Sequence, residues 1–222
     1  MTDSADRTST PTVRRRLAVL MIVLGGVAGV GLAFVGHLAA GGTGQGAIAL
    51  PELHGQASWA SGERRAPSFS LRDQSGGLVS LAAQRGRPVL LTFFDSRCKD
   101  QCPLLGWEFG AMLRDLDAAD RPTLLIVSVN PAGDTPRSVR RAMSSWKLAG
   151  PWRWHWLRGS RRELAHVWRD YGIAVEPTTN DIGHGLVVYL IDRRGFQRTG
   201  YLFPLLPNFV ALDLQTLSGE SA

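Results

Sequence analysis

Cys98 and Cys102 are the only two cysteines in this chain of 222 residues, and three residues separate them. That spacing puts both sulfurs on one helical face, with Cβ atoms roughly 5–6 Å apart if the turn is helical. Thiols so placed can close a disulfide with modest adjustment, or hold one metal ion between two thiolates. A purely structural bridge makes poor sense, because closing so short a loop removes little chain entropy. Thiol chemistry, either redox or metal-binding, is therefore the expected use of the pair. Arg97 and Lys99 flank Cys98, and positive neighbours favour the thiolate, which is both nucleophile and metal ligand. A helix N-terminus acts in the same direction. Cys98 is accordingly expected to be the more reactive thiol. Asp100 lies inside the loop, as a solvated carboxylate or as a neighbour of the thiols.

The elements that must position this pair are legible on either side of it. Pro88 to Phe94 is a continuous apolar run, the pattern of a strand buried on both faces. Leu104, Leu105, Phe109, Met112, Leu113 and Leu116 then recur at helical spacing. Upstream, Phe69–Leu71 and Leu78–Leu81 alternate around Gly76-Gly77, which predicts a β-hairpin. Downstream, Pro122–Val129 reads as a second buried strand. Its turn feeds a helix with Thr135 as N-cap and Pro136 at the first helical position. Trp154–Leu157 is a short strand on which alternation sets His155 opposite two tryptophans, as a satisfied or solvent-facing histidine. Ser160 and Glu163 make a capping box for a helix running to about Tyr171, with His166 on it. Leu186–Ile191 and Phe196–Leu202 read as an antiparallel pair, and Asn208–Leu217 as a closing helix. Strand–helix–strand–helix followed by an antiparallel pair, with cysteines at the first strand-to-helix junction, predicts an α/β thioredoxin-like sandwich with an N-terminal hairpin.

The N-terminal quarter has a different composition. Arg14-Arg15-Arg16 precede an uncharged run from Leu17 to Gly36, which as a helix spans roughly 30 Å, a bilayer core. Arginines before the run and none directly after it place the N-terminus in the cytoplasm and the rest outside. A cleaved signal peptide is the rival reading, since Leu38-Ala39-Ala40 is small enough to cut. Signal h-regions are only about 7–15 residues long, so an uncleaved anchor is expected. Residues 1–16 are thus read as a cytoplasmic tail and 17–40 as a transmembrane anchor. Residues 41–66 are read as a linker and 67–222 as the folded domain. The formal net charge is +6, and Lys99 and Lys147 are the only lysines among 25 basic residues. No basic helix or aromatic–basic repeat accompanies the arginines, which argues against nucleic acid as a partner.

Residues 67–203 resemble the Sco (SenC) family of membrane-anchored thioredoxin-fold proteins associated with copper delivery to cytochrome c oxidase. The resemblance is carried by Cys98-Lys-Asp-Gln-Cys102-Pro103, by Ser128-Val-Asn-Pro-Ala-Gly-Asp-Thr-Pro136, by His184-Gly-Leu-Val-Val-Tyr-Leu-Ile-Asp192 and by the single N-terminal anchor. It implies a copper site of Cys98, Cys102 and His184, a ligand set suited to Cu(I) and able to accept Cu(II). It also implies a redox-active cysteine pair, a thioredoxin-like reductant and the copper-site subunit of the oxidase as recipient. The location implied is the cell (inner) membrane, with the domain extracytoplasmic. Lys99 departs from the family's proline, Ser96 from its threonine, Asn130 from its aspartate and Gly133 from its arginine. The alternative function is an extracytoplasmic thiol–disulfide oxidoreductase for which copper is incidental. A peroxidase would keep a lone peroxidatic cysteine in a threonine-bearing loop, which this sequence lacks.

Overall fold

The computed structural model describes residues 53–177 and 182–220. The expected tail (1–16), anchor (17–40) and the first part of the linker (41–52) lie outside the described residues. Among the described residues no helix is long and apolar enough to cross a membrane. The strands in chain order are β1 (Ala57–Ser58), β2 (Arg64–Arg65), β3 (Ser70–Arg72), β4 (Leu78–Ser80), β5 (Val89–Phe94) and β6 (Thr123–Ser128). They continue as β7 (Trp154–Leu157), β8 (Val175–Pro177), β9 (Ile182–His184), β10 (Val187–Ile191) and β11 (Phe196–Leu202). The helices are α1 (Gln101–Asp115), α2 (Pro136–Ser145), α3 (Arg161–Asp170) and α4 (Pro207–Gly219).

One mixed sheet organises the domain, in the order β1-β11-β10-β5-β6-β7, with β2 also on β11. β5, β6 and β7 are parallel, and β10 and β11 run antiparallel to their neighbours. Every residue of β5 and β6 is buried, because helices or loops cover both faces. Alternation divides the strand side chains between two cores. Leu90 and Phe94 face α1, α2 and α4 through Leu105, Phe109, Val139 and Leu214. Leu91 and Phe93 face α3 and the β3–β4 hairpin through Leu164, Trp168, Leu71 and Val79. Each such side chain contributes about 1.5–3 kcal/mol by leaving water. Phe93→Ala, which also opens a cavity, costs roughly 3–5 kcal/mol.

Two helix starts match their sequence signals. Thr135 and Ser138 form a reciprocal capping box at α2, with Pro136 in the first turn, and Ser160 and Glu163 do the same at α3. By contrast, α1 begins at Asp100 without a side-chain cap, and its start is fixed by the turn that precedes it.

The domain begins earlier than residue 67. Leu53 is 1% exposed, and residues 53–66, read from sequence as the end of the linker, are laid along β11. Ala57 pairs with Gly200 and Arg65 with Phe196. A Cβ at Gly55 would stand 2.6 Å from the Gly200 carbonyl oxygen, so the strap approaches β11 as closely as only glycine permits. Two-residue strands with both residues exposed carry no periodicity, which is why composition alone made them a linker. The β8–β9 pair, with Val175 opposite His184, was likewise not foreseen.

Candidate functional site

The cysteines follow β5, the Asn130–Thr135 turn follows β6, and His184 precedes β10. Since β10 is antiparallel to β5, with Val188 opposite Thr92, all three segments meet at one end of the sheet. That end is the carboxyl edge of the parallel strands, where open α/β sheets bind their ligands.

Asp95, the first residue after β5, shapes the cysteine turn. Its carbonyl accepts from the Cys98 N–H at 3.1 Å, and its Oδ1 accepts from the Arg97 N–H at 2.8 Å. Asp134 braces the same turn from behind. Its Oδ1 accepts from the Ser96 N–H at 2.8 Å and its Oδ2 from the Trp156 indole N–H at 3.0 Å. Asp134 is 1% exposed, and burial pushes its pKa up to about 6 although its hydrogen bonds pull the other way. Asn130 joins the two carboxylates' loops: its Nδ2 donates to Asp95 Oδ2 at 3.1 Å and its Oδ1 accepts from the Gly133 N–H at 2.8 Å. A Cβ at residue 133 would lie 2.3 Å from Asn130 Nδ2 and 2.9 Å from Arg97 Cδ. The departures at Asn130 and Gly133 are therefore one change: the amide folds back into the space a side chain at 133 would need.

Within this frame Cys98 is half-buried in the turn, and Cys102, in the first turn of α1, is 1% exposed. Neither forms a disulfide in this structure. The hydrogen bond from Cys102 to Cys98, then burial, then the nearby Asp95 charge hold the Cys102 thiol well above the usual cysteine range, against a backbone hydrogen bond from Asp95. Of the pair, Cys102 is the sulfur that its surroundings hold back from ionising. His184 comes in from β9. Its Nε2 lies 3.7 Å from Cys102 Sγ, and its Nδ1 lies 3.2 Å from the Gly185 carbonyl. A carbonyl only accepts, so Nδ1 donates there and Nε2 turns its lone pair toward the sulfur. Among the described residues no three His, Cys, Asp or Glu side chains already surround a common point.

The remaining candidates are accounted for elsewhere. His155 Nδ1 pairs with Asp73 at 3.0 Å, a satisfied histidine as expected. His166 is exposed on α3 beside Arg169. Asp100 is exposed. Sequence reasoning named Asp134 and Asn130 as members of a turn and of the family motif, without a role for either, and overlooked Asp95. The available signal was a lone carboxylate directly after a six-residue strand with Thr92 as its one polar residue.

Three comparisons bear on this arrangement. A family model described as SCO1/SenC matches residues 59–216. The mitochondrial Protein SCO2 homolog of Bos taurus is 30% identical over 198 residues, which cover 83% of this chain and 68% of that protein. A putative peroxiredoxin of Mycobacterium tuberculosis is 31% identical over 108 residues, covering 49% of this chain and 63% of its own length. Among solved structures, copper-bound ScoI of Bradyrhizobium japonicum shares 29% identity at a TM-score of 0.59, covering 69% of this chain and 99% of that one. Apo Sco1 of Thermus thermophilus, at 21% identity and a TM-score of 0.63, covers 76% of this chain and 99% of its own and attests the shared fold.

Proposed function

The chain belongs to the SCO1/SenC family, and on that premise we propose that it is a membrane-anchored copper metallochaperone with a redox-active cysteine pair. Copper is its cargo, held by Cys98, Cys102 and His184 and passed to the copper-site subunit of cytochrome c oxidase. The observation that carries this reading is the 3.7 Å separation of Cys102 Sγ and His184 Nε2. Donors bound to one ion at about 2.3 Å (sulfur) and 2.0–2.1 Å (nitrogen), with an angle between tetrahedral and trigonal, lie about 3.6–3.8 Å apart. The Gly185 carbonyl on Nδ1 is the partner that ligating histidines usually have on their other nitrogen. Cys98, on the turn outside α1, completes the set when the ion enters. Two thiolates and an imidazole suit Cu(I). The anchor and the extracytoplasmic placement of the domain are part of the proposal, and an alkaline phosphatase fused to the C-terminus should be active.

A copper titration of the reduced full-length chain tests the ligand set. His184→Ala should weaken Cu(I) binding by roughly 10–100-fold or more, while the Cys98–Cys102 disulfide still forms and is still reduced. Cys98→Ala or Cys102→Ala should abolish both properties. Unchanged copper affinity in His184→Ala removes the histidine from the site. The second reading, a thiol–disulfide oxidoreductase, is favoured in one respect by the hydrogen bond between the thiols and the raised Cys102. In that reaction the Cys98 thiolate attacks a partner disulfide and expels one partner thiol. Cys102 then displaces the second, leaving the Cys98–Cys102 disulfide and a dithiol partner. A thioredoxin-like reductant restores the pair. That reading needs no histidine, so the histidine variant separates the two.

A further inference from the structure

The helix that begins at the cysteines also forms one wall of a groove. Between α1 and α4 lies a cleft of about 440 Å³, walled by Trp107, Ala111 and Met112 on α1, by Leu116 just past its end, and by Pro207 and Ala211 on α4. Ala111 and Ala211 are the reason it is open, since small residues on both helices leave unfilled space between them. Trp107 is 50% exposed and Leu104, one turn toward the cysteines, is 49% exposed. Residues 104, 107, 108, 111 and 115 fall at helical spacing, so this is one continuous stripe of α1 that the domain's own core does not cover. A half-exposed tryptophan beside an open groove is the kind of anchor that protein interfaces bury.

The rim of the groove says what should lie in it. Glu108 and Asp115 line it, and neither carboxylate has a hydrogen-bond or ion-pair partner among the described residues. They stand two helical turns apart, about 10 Å along the axis. This acidic, apolar groove belongs to a chain whose net charge is +6. An anionic lipid surface or an acidic peptide would meet two unpaired carboxylates there at a repulsive cost. A helix with an apolar stripe and two basic residues seven positions apart meets both the groove floor and its rim.

We infer that the α1–α4 groove is a docking site for a basic amphipathic helix of a partner protein. Trp107 is five residues from Cys102, about 7–8 Å of helix rise, so a helix in the groove would hold its protein with one end near the thiols. The inference goes beyond the copper reading and does not rest on it, because neither Trp107 nor the two carboxylates belong to the proposed ligand set.

The test uses the purified full-length chain and a fluorescein-labelled helical peptide of about 16 residues. The peptide carries a leucine stripe and two arginines seven positions apart. Anisotropy should report saturable binding that weakens with added salt. Trp107→Ala should weaken it at least about ten-fold, and Ala111→Leu, which fills the groove, should do the same. The double variant Glu108→Lys/Asp115→Lys should remove binding of the arginine peptide and admit its glutamate counterpart. All variants should keep the wild-type circular dichroism and copper titration, so that failure of the groove and failure of the metal site are read separately. Equal binding of a scrambled or glutamate peptide to wild type overturns the inference. So does Trp107-dependent binding to phosphatidylglycerol vesicles, which would make the face a lipid contact. Trp107-dependent self-association would assign it to a second copy of the chain, with the same consequence.

Discussion

Two buried carboxylates do different work in this domain, and the difference lies in their donors. Asp134, behind the cysteine turn, is 1% exposed and accepts from the Ser96 amide and the Trp156 indole. Asp213, on α4, is 0% exposed and accepts from the His54 N–H at 2.8 Å, from His54 Nδ1 at 2.6 Å and from the Tyr201 hydroxyl. The His54 side chain is 42% exposed and stacks on Phe209 at 4.7 Å. Asp213 thus has an imidazole donor that reaches water and ties the N-terminal strap to α4. The Asp134 donors that fix the turn are neutral and enclosed, so burial dominates and lifts its pKa to about 6. The same side chain gives a clamp in one place, and in the other a brace for reactive sulfurs that takes up a proton in mild acid and loses stability as pH rises.

The comparison can be broken most directly at Asp134. Asp134→Ala strands two buried donors, each worth about 1–3 kcal/mol, so roughly 4 kcal/mol of stability should go. Because the Ser96 bond holds the turn, iodoacetamide labelling of the buried Cys102 should also rise by roughly ten-fold, a loss of local protection of about 1.4 kcal/mol. Unchanged labelling would reduce Asp134 to a packing role.

The pH dependence is next in size. A carboxyl whose folded pKa is raised from 3.8 to about 6 holds its proton more tightly when folded. Its contribution to stability is full below the unfolded value and is lost as pH rises through the folded one. The shift corresponds to about 3 kcal/mol. Denaturant unfolding of wild type against Asp134→Asn across that window should show the falling slope in wild type alone. Parallel profiles would mean that Asp134 is ionised throughout.

Smaller effects sharpen the other side. Asp213→Ala strands the Tyr201 hydroxyl and the His54 amide, while the His54 ring turns to water, for roughly 2–3 kcal/mol. Amide exchange should accelerate along residues 53–58, and Cys102 labelling should stay at the wild-type rate. A change in thiol reactivity here would show that strap and cysteine turn are coupled. Tyr201→Phe removes one donor of three and should cost about 1 kcal/mol, seen as a small shift of the denaturation midpoint with an unchanged slope.

Much of this architecture was legible from local pattern. The hairpin around Gly76-Gly77, the two fully buried strands, the N-cap at Thr135, the capping box at Ser160 and the β10–β11 pair stand within a residue or two of where local pattern put them. The strap at residues 53–66 was not legible, since two-residue strands have no period and gain their order only from the exposed edge of β11. The frame around the cysteines was half legible: the Asp134 motif stood out, but its hydrogen bond to Ser96 spans 38 positions.

By itself, then, the sequence determined what depends on neighbours along the chain. This covers the strand and helix periods, the helix caps, the four-residue spacing of the thiols and their location at a strand-to-helix junction. Tertiary structure alone decided what depends on strands meeting side by side. The antiparallel return of β10 along β5 delivers His184 to within 3.7 Å of Cys102 across 82 positions. The fold of Asn130 toward Asp95 turns two departures from the family pattern into one. The packing of α4 against α1 leaves the acidic groove open. The physical reason is range: propensity, capping and periodicity act over a few residues, whereas hydrogen bonds and burial between distant segments exist only once the sheet has brought them together.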